Sequence, residues 1–328
     1  DCTRFIKADC NQRGHIEMDT HVGMSKPISM HDFDVLGLVG EGGLSKVLRV
    51  VRKGCHQPSS SLFAIKVISK AKLEQKACLA QAHTEKEVLE ELARESHPFI
   101  CTVKFFFEDY ANLYMGFDYV GGGDLCETID RHGSLPSSWT RLYVAELTLV
   151  LEYVHQRQII LCDLKPENIH ITYSGHLKLV DFAEAHFARA DKRSVGRRGT
   201  PMYMAPEMLR NLHYDSAVDW WALGCIAFEM ATGSPLFGSC TEVMVIAGAS
   251  KFPEHVRLAI ANIGEMDSLG AHSTKLMSLV QGLLTIPASS RLGLGTPEQP
   301  SIRKHAFLAD IDCDALLFGE IAAPSSPM

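Results

Sequence analysis

The texture of the chain changes once along its length, and that change restricts the fold more than any single motif. From Phe33 to about Phe117 the apolar runs are β-type: VLGLVG, KVLRVV, LFAIKVI and NLYMGF. One helical segment interrupts them near residues 81–94. From Leu125 onward helical spacing takes over, for example Leu142, Ala145, Leu149 and Tyr153 on one face. Within that half only NIHI and HLKLV, either side of Ser174-Gly175, read as a hairpin. Strands first and helices afterwards predict an α+β protein with a small β-rich lobe and a larger helical lobe. The expected organisation is a flexible extension over 1–31 and a main domain over 32–308. That domain divides into a small lobe (32–117), a hinge (118–124, with the run Gly121–Asp124) and a large lobe (125–308). A Pro/Ser-ending tail covers 309–328.

Composition narrows the function classes. Hydrophobic residues make up 46% and charged residues 22% of 328 residues, which fits a well-cored globular protein and excludes a disordered one. A net charge of −7 argues against nucleic-acid binding. The ten cysteines have no framework spacing, and no apolar signal segment precedes them, so they read as reduced thiols in the cytoplasm or nucleus. Cys2, Cys10, His15 and His21 match no metal knuckle. The most apolar helix-length stretch, Trp220–Ala231, contains Glu229 and stops at Gly233, too short to span a bilayer.

Gly40-Glu41-Gly42-Gly43-Leu44-Ser45-Lys46-Val47 lies between two strand runs, where glycines let backbone N–H groups approach a phosphate chain. Such a hairpin is by itself often only a turn. In Leu62–Ile68 the period of two puts Lys66 on a face with Leu62, Ala64 and Ile68. Helical spacing puts Glu85 on one stripe with Val88, Leu89 and Leu92. A lysine on an apolar face ordinarily snorkels outward, but two opposite charges both facing inward are expected to pair, since breaking a buried pair costs roughly 3–5 kcal/mol.

Leu161-Cys162-Asp163-Leu164-Lys165-Pro166-Glu167-Asn168 then packs an acid, a base and an amide together, and the following hairpin ends at Asp181-Phe182-Ala183. Asn168 and Asp181 are hard oxygen ligands suited to Mg²⁺ held with phosphates. Asp163 suits a proton acceptor for an attacking hydroxyl, and Lys165 suits stabilisation of the transferred group.

With these residues in order, and Ala205-Pro206-Glu207 after them, the chain resembles a eukaryotic protein kinase over roughly 33–308. DLKPEN with Gly199-Thr200-Pro201 is similar to the Ser/Thr type. NLYMGFDYVGGGDL, HPFI, DWWALG and IDCDALLFGEI resemble the AGC group, including its ribosomal-protein-kinase branch. The resemblance implies a bilobal kinase-like fold, ATP and Mg²⁺ as cofactors, and Ser/Thr protein substrates. It makes Lys66 the phosphate-binding partner of Glu85, Asp163 the base, and Thr200 a partner of Asp163 and Lys165. Asn168 and Asp181 become the metal ligands. Nucleotide contacts fall on Gly40, Glu41, Gly42, Gly43, Leu44, Ser45, Val47, Ala64, Phe117, Asp118, Val120, Asp124, Glu167 and His170. Glu207 is to pair with Arg291, Asp219 to brace the catalytic loop, and Leu89, Val103, Leu161 and Phe182 to be buried as a spine. Asp124 and Glu167 are expected to attract an upstream arginine of the substrate.

Four places depart from the family pattern. Cys162 stands where an arginine usually receives an activation-segment phosphate, and Gly196 stands where the phosphorylated threonine usually lies, so that switch is expected to be missing. Ala183 replaces a glycine and is expected to hinder outward swinging of Asp181. His170 replaces an aliphatic residue under the adenine. Lys192, Arg193, Arg197 and Arg198 make the activation segment basic, either as a solvated run or, at Arg197, as a reader of an acidic substrate residue. Basic neighbours would lower the Cys162 pKa and make it oxidisable, but the favoured expectation is a silent thiol. The hydrophobic motif that closes related tails is not seen after Ile321, so either another segment or a regulatory partner is expected to fill the small-lobe groove, or the helix bearing Glu85 is expected to hold itself in place. Two functions fit: an active Ser/Thr kinase, or a nucleotide-binding pseudokinase scaffold.

Overall fold

The computed structural model describes residues 27–54, 62–188, 194–239, 272–294 and 301–324, with part of a helical turn at 254–258. Cys2, Cys10, His15, His21, Lys192 and Arg193 lie outside the described residues. The chain divides into two compact units: residues up to His83 with Cys101–Tyr119, and Thr84–Ile100 with the chain from Val120 on.

The first unit carries β1 (Phe33–Glu41), β2 (Ser45–Arg52), β3 (Leu62–Ser69), α1 (Lys70–Gln75), the start of α2 (Leu79–Ala93), β4 (Val103–Glu108) and β5 (Asn112–Asp118). The five strands form one antiparallel sheet in the order β1-β2-β3-β5-β4. Two elements were not foreseen. Strand β4 is VKFFFE, whose run of three aromatics hides any alternation. Helix α1, started by Ser69 Oγ accepting from Lys72 N–H, buries Leu73 alone and so has no apolar period to read. The helical segment expected near 81–94 is α2.

Directly paired residues share a sheet face, so the register separates two populations. Phe33, Val50, Ile65, Val67 and Tyr114 form the core on one face, with Phe63, Phe105 and Phe107 packed against them. Phe33 stacks on Phe105 at 5.4 Å and Phe107 on Tyr114 at 4.5 Å. On the opposite face Val47 pairs with Lys66 and Lys66 with Met115, while Ala64 pairs with Phe117. Filling the core with odd-numbered β3 residues thus assigns Ala64 and Lys66 to the other side.

The second unit continues with α3 (Leu125–His132), α4 (Ser137–Gln156), β6 (Ile159–Ile160), β7 (Ile169–Ile171), β8 (Leu177–Leu179), β9 (His186–Phe187), α5 (Pro206–Leu209), α6 (Ala217–Thr232), α7 (Ser273–Leu283) and α8 (Cys313–Leu317). Strands β7 and β8 make the expected hairpin, and β6 pairs with β9. Helix α4 is buried almost all round from Trp139 to Leu151, beyond the single stripe its spacing predicts. It packs against α6 and α8. Helix α6 is buried at every position from Ala217 to Ala231. No helix of the described residues is long and apolar enough to cross a membrane.

Two connecting segments are tied into this unit. Tyr153 Oη donates to Glu95 O (2.6 Å) and Leu179 N–H to Phe99 O (2.9 Å), fixing the HPFI stretch. Gly122 N–H donates to Ile171 O (3.0 Å) and Ile171 N–H to Gly123 O (2.9 Å). A Cβ at Gly122 would lie 2.3 Å from Ile171 O, so this close backbone approach requires glycine.

Candidate active site

In the first unit the glycine-rich loop is the turn joining β1 to β2. Gly40 pairs with Val47 and Glu41 with Lys46, and Gly42 N–H donates to Ser45 O at 2.8 Å. A Cβ added at Gly40 would meet nothing within 4 Å, and one at Gly42 only Ser45 O at 3.8 Å. Neither residue has a positive φ. The protein's own packing therefore does not require glycine at these two positions. Lys66 is 9% exposed, far from the outward-snorkelling state ordinary for lysine. Leu44 O accepts from Ser69 N–H at 3.3 Å. At the end of β5 the Asp118 carboxylate turns to Lys104 (3.1 Å) and its carbonyl lies 3.6 Å from Cys101 Sγ.

In the second unit the structure gathers three of the nominated residues, Thr200, Lys165 and Asn168, around the carboxylate of a fourth, Asp163. Asp163 Oδ1 accepts from both the backbone N–H and the Oγ1–H of Thr200, each at 2.8 Å. Lys165 Nζ lies 2.9 Å from Asp163 Oδ2 and donates to Thr200 Oγ1 at 2.8 Å. Asn168 Nδ2 donates to Asp163 O (2.9 Å) and Oδ2 (3.3 Å), and among the described residues its Oδ1 has no donor. Val180 N–H donates to Asn168 O at 3.0 Å, which holds the residue before Asp181 against Asn168. Gly199 completes the arrangement at φ +88°: a Cβ there would sit 2.4 Å from Cys162 O and 3.0 Å from Asp163 Oδ1. Glu85 is buried on its stripe with Val88, Leu89 and Leu92.

The loop is braced from below. Asp219, 1% exposed at the start of α6, accepts from Leu161 N–H (3.0 Å) and Cys162 N–H (2.9 Å), and His155 Nε2 lies 2.8 Å from it. These bonds hold Cys162 at φ +65°, a left-handed conformation that costs an ordinary residue about 1–2 kcal/mol. The fully buried Arg291 forks onto Glu207 (2.7 and 3.1 Å), as the resemblance implies. Leu89, Val103, Leu161 and Phe182 are all buried. Ala183 donates its N–H to Asp181 Oδ1 (3.2 Å) without a positive φ, so alanine fits this backbone unstrained.

The remaining nominated residues serve this unit's own structure as well. Asp124 caps α3 by accepting from Glu127 N–H (2.8 Å) and bridges His170 through the backbone. Burial pushes the His170 pKa down, against Asp124 and a hydrogen bond to the Val120 backbone, which favours a flat neutral ring. The expectation of a silent Cys162 thiol agrees with its surroundings: burial, then Asp219, pushes its pKa up, against the Tyr214 hydrogen bond and Arg198.

Two features escaped the sequence reading. One is a neutral network around Cys162, whose Sγ lies 3.8 Å from His186 Nδ1 and 3.8 Å from Tyr214 Oη. His186 Nε2 in turn lies 2.6 Å from Ser194 Oγ, and Tyr214 N–H donates to Ser194 O at 2.9 Å. The other is Glu229, which appears in sequence only as a blemish in an apolar helix. Tyr203 Oη donates to it at 2.7 Å. Burial raises its pKa to about 7, the Tyr203 bond opposing this and the nearby Glu167 and Asp130 adding to it.

The model of the protein kinase domain matches residues 33–308. The chain belongs to the protein kinase family. It is 33% identical over 318 residues to serine/threonine-protein kinase gad8 of Schizosaccharomyces pombe, covering 95% of this chain and 51% of the relative. It is 32% identical over 304 residues to ribosomal protein S6 kinase beta of Caenorhabditis elegans, covering 92% and 52%. It is 34% identical over 301 residues to serine/threonine-protein kinase SCH9 of Saccharomyces cerevisiae, covering 90% and 34%. These relatives are Ser/Thr kinases of the AGC group. The chain spans about half the length of the curated relatives it matches.

Proposed function

We propose that this kinase-family chain transfers the γ-phosphate of Mg-ATP to Ser or Thr hydroxyls of protein substrates. The observation that carries the reading is the Asp163 cluster. One carboxylate is fixed by Thr200, Lys165 and Asn168, so its lone pairs are pre-aimed rather than left to reorganise during reaction. Asp163 takes the proton of the incoming hydroxyl, and Lys165 offsets negative charge on the phosphoryl group. Among the described residues no three His, Cys, Asp or Glu side chains form a self-sufficient metal site. That suits Mg²⁺, which binds one or two protein oxygens and completes its shell with phosphates and water. Asn168 Oδ1 and Asp181 would hold it, and when bound it neutralises phosphate charge. The glycines at Gly40 and Gly42, not required by packing, are accounted for by the approach of a nucleotide's phosphates. Lys66, Glu85, Val47, Ala64, Phe117, Asp118, Val120 and His170 are assigned to nucleotide binding in the same reading. Glu167 and Glu229, with Asp130 nearby, favour substrates carrying an arginine.

The neutral network around Cys162 supports an activation segment that needs no phosphate at Ser194. A second reading, a nucleotide-binding scaffold without transfer, draws on the departures at Cys162, His170 and Ala183. Radiolabelled ATP with a basic peptide decides between them. The kinase reading expects incorporation into the peptide that Asp163→Asn removes. Nucleotide binding without incorporation by the wild type overturns it in favour of the scaffold.

A further inference from the structure

Two arginines in the activation segment are used differently. Arg198 turns toward Glu184 (4.0 Å) and, with Cys162, His186 and Tyr214, belongs to the neutral network's surroundings. Arg197 is exposed and held by one bond, Nε–H to Leu209 O at 3.1 Å. Among the described residues its two terminal nitrogens have no partner. The guanidinium is therefore anchored at its stem while the planar fork that grips carboxylates and phosphates stays open.

Its position decides what that fork meets. Gly199, two residues on, lies against Asp163: even an added Cβ would come within 3.0 Å of the carboxylate. Thr200 is bonded to the same carboxylate, and three residues of chain span at most about 11 Å. A substrate hydroxyl delivered to Asp163 brings its flanking residues alongside Gly196–Thr200. We propose that Arg197 selects an acidic side chain, Asp, Glu or a phosphorylated residue, immediately flanking the Ser or Thr that accepts phosphate. The proposal rests on the kinase reading above and adds a specificity-determining residue to it. With Glu167 and Glu229 favouring a cation elsewhere on the peptide, the preferred substrate carries opposite charges on different parts of its sequence.

The test uses arginine-bearing peptides with Leu on both sides of the acceptor, Glu on one side, or Glu on the other. Wild type is expected to use one of the Glu peptides about threefold to fivefold better in kcat/KM than the Leu peptide, the scale of a partly exposed ion pair. Raising the salt is expected to shrink the difference. Arg197→Ala is expected to abolish the preference, Arg197→Lys to keep part of it, and Arg197→Glu to transfer it to Lys-flanked peptides, with Arg198→Ala leaving it intact. A merely structural Arg197 would alter thermal stability without changing discrimination. Binding of the same peptides with Ala as acceptor, read by fluorescence anisotropy, separates the two claims. Glu preference in binding without any transfer removes the kinase reading alone. Absence of Glu preference in both turnover and binding, or a preference that survives Arg197→Ala, overturns the proposal.

Discussion

Residues 162 and 163 are neighbours in sequence, yet they centre two networks of opposite character. Around Asp163 the partners are an ammonium, a hydroxyl, an amide and a backbone N–H, all converging on one carboxylate. Around Cys162 they are a thiol, an imidazole, a phenol and a hydroxyl, with burial keeping the ring of His186 and the thiol uncharged. In the proposed reading the first network presents charge to a reacting group and so retains its ionic partners, while the second only holds a segment in place with uncharged contacts and no added phosphate. On that reading, the groups that act on the substrate and the groups that position the loop can be altered separately, even one residue apart.

Removing the charge from the first network is expected to have the largest effect. Asp163→Asn should lower kcat by about 10²- to 10⁴-fold, the range for a positioned general base, while a Mg-ATP thermal shift persists. Adding charge to the second should come next. Cys162→Arg places an unpaired cation in a buried neutral site and is expected to cost about 3 kcal/mol, measured by chemical denaturation. Recovery of stability by Cys162→Arg combined with Ser194→Asp would sharpen the comparison by restoring an ion pair.

The pH dependence separates the regions further. Glu229 is held protonated up to about 7, against a usual 4.5. Its contribution to stability is thus full below 4.5 and is lost as pH rises through about 7. Over the same window its growing negative charge should improve kcat/KM for arginine-bearing peptides, and Glu229→Gln should flatten both trends. His186 is shifted the other way, below 6.5. Its stabilising effect is present above 6.5 and is lost only as pH falls below that, so the Cys162 network should be insensitive near neutrality. The smallest effect is expected from phosphatase treatment or Ser194→Ala, which should change kcat by less than about fivefold, one hydrogen bond being worth about 1 kcal/mol or less. A collapse of activity after phosphatase would break the comparison, because it would show that the segment depends on charge after all.

Local pattern made much of this legible. The alternation in β3 grouped Lys66 with Ala64 and Ile68, though which face packs the sheet core came only from the structure, and helical spacing placed Glu85 beside Val88 and Leu92. Short-range order did the same for Asp163, Lys165 and Asn168, which lie within six residues of one another. Helix α1 stayed hidden because a single buried leucine carries no period. Strand β4 stayed hidden because its aromatics run consecutively. Glu229 and the His186–Ser194 contact were beyond reach for another reason: their chemistry comes from partners many residues away.

The sequence by itself determined the order of strands and helices, the two faces of the central strand, and the family to which the chain belongs, because each depends on residue type at fixed short spacing. Only the tertiary structure decided that Cys162 is buried beside Asp219, that burial raises the Glu229 pKa to about 7, and that, among the described residues, Arg197 rather than Arg198 is left with an open guanidinium. Those properties are set by burial and by partners across space, and local spacing carries no record of which distant side chain arrives beside a given group.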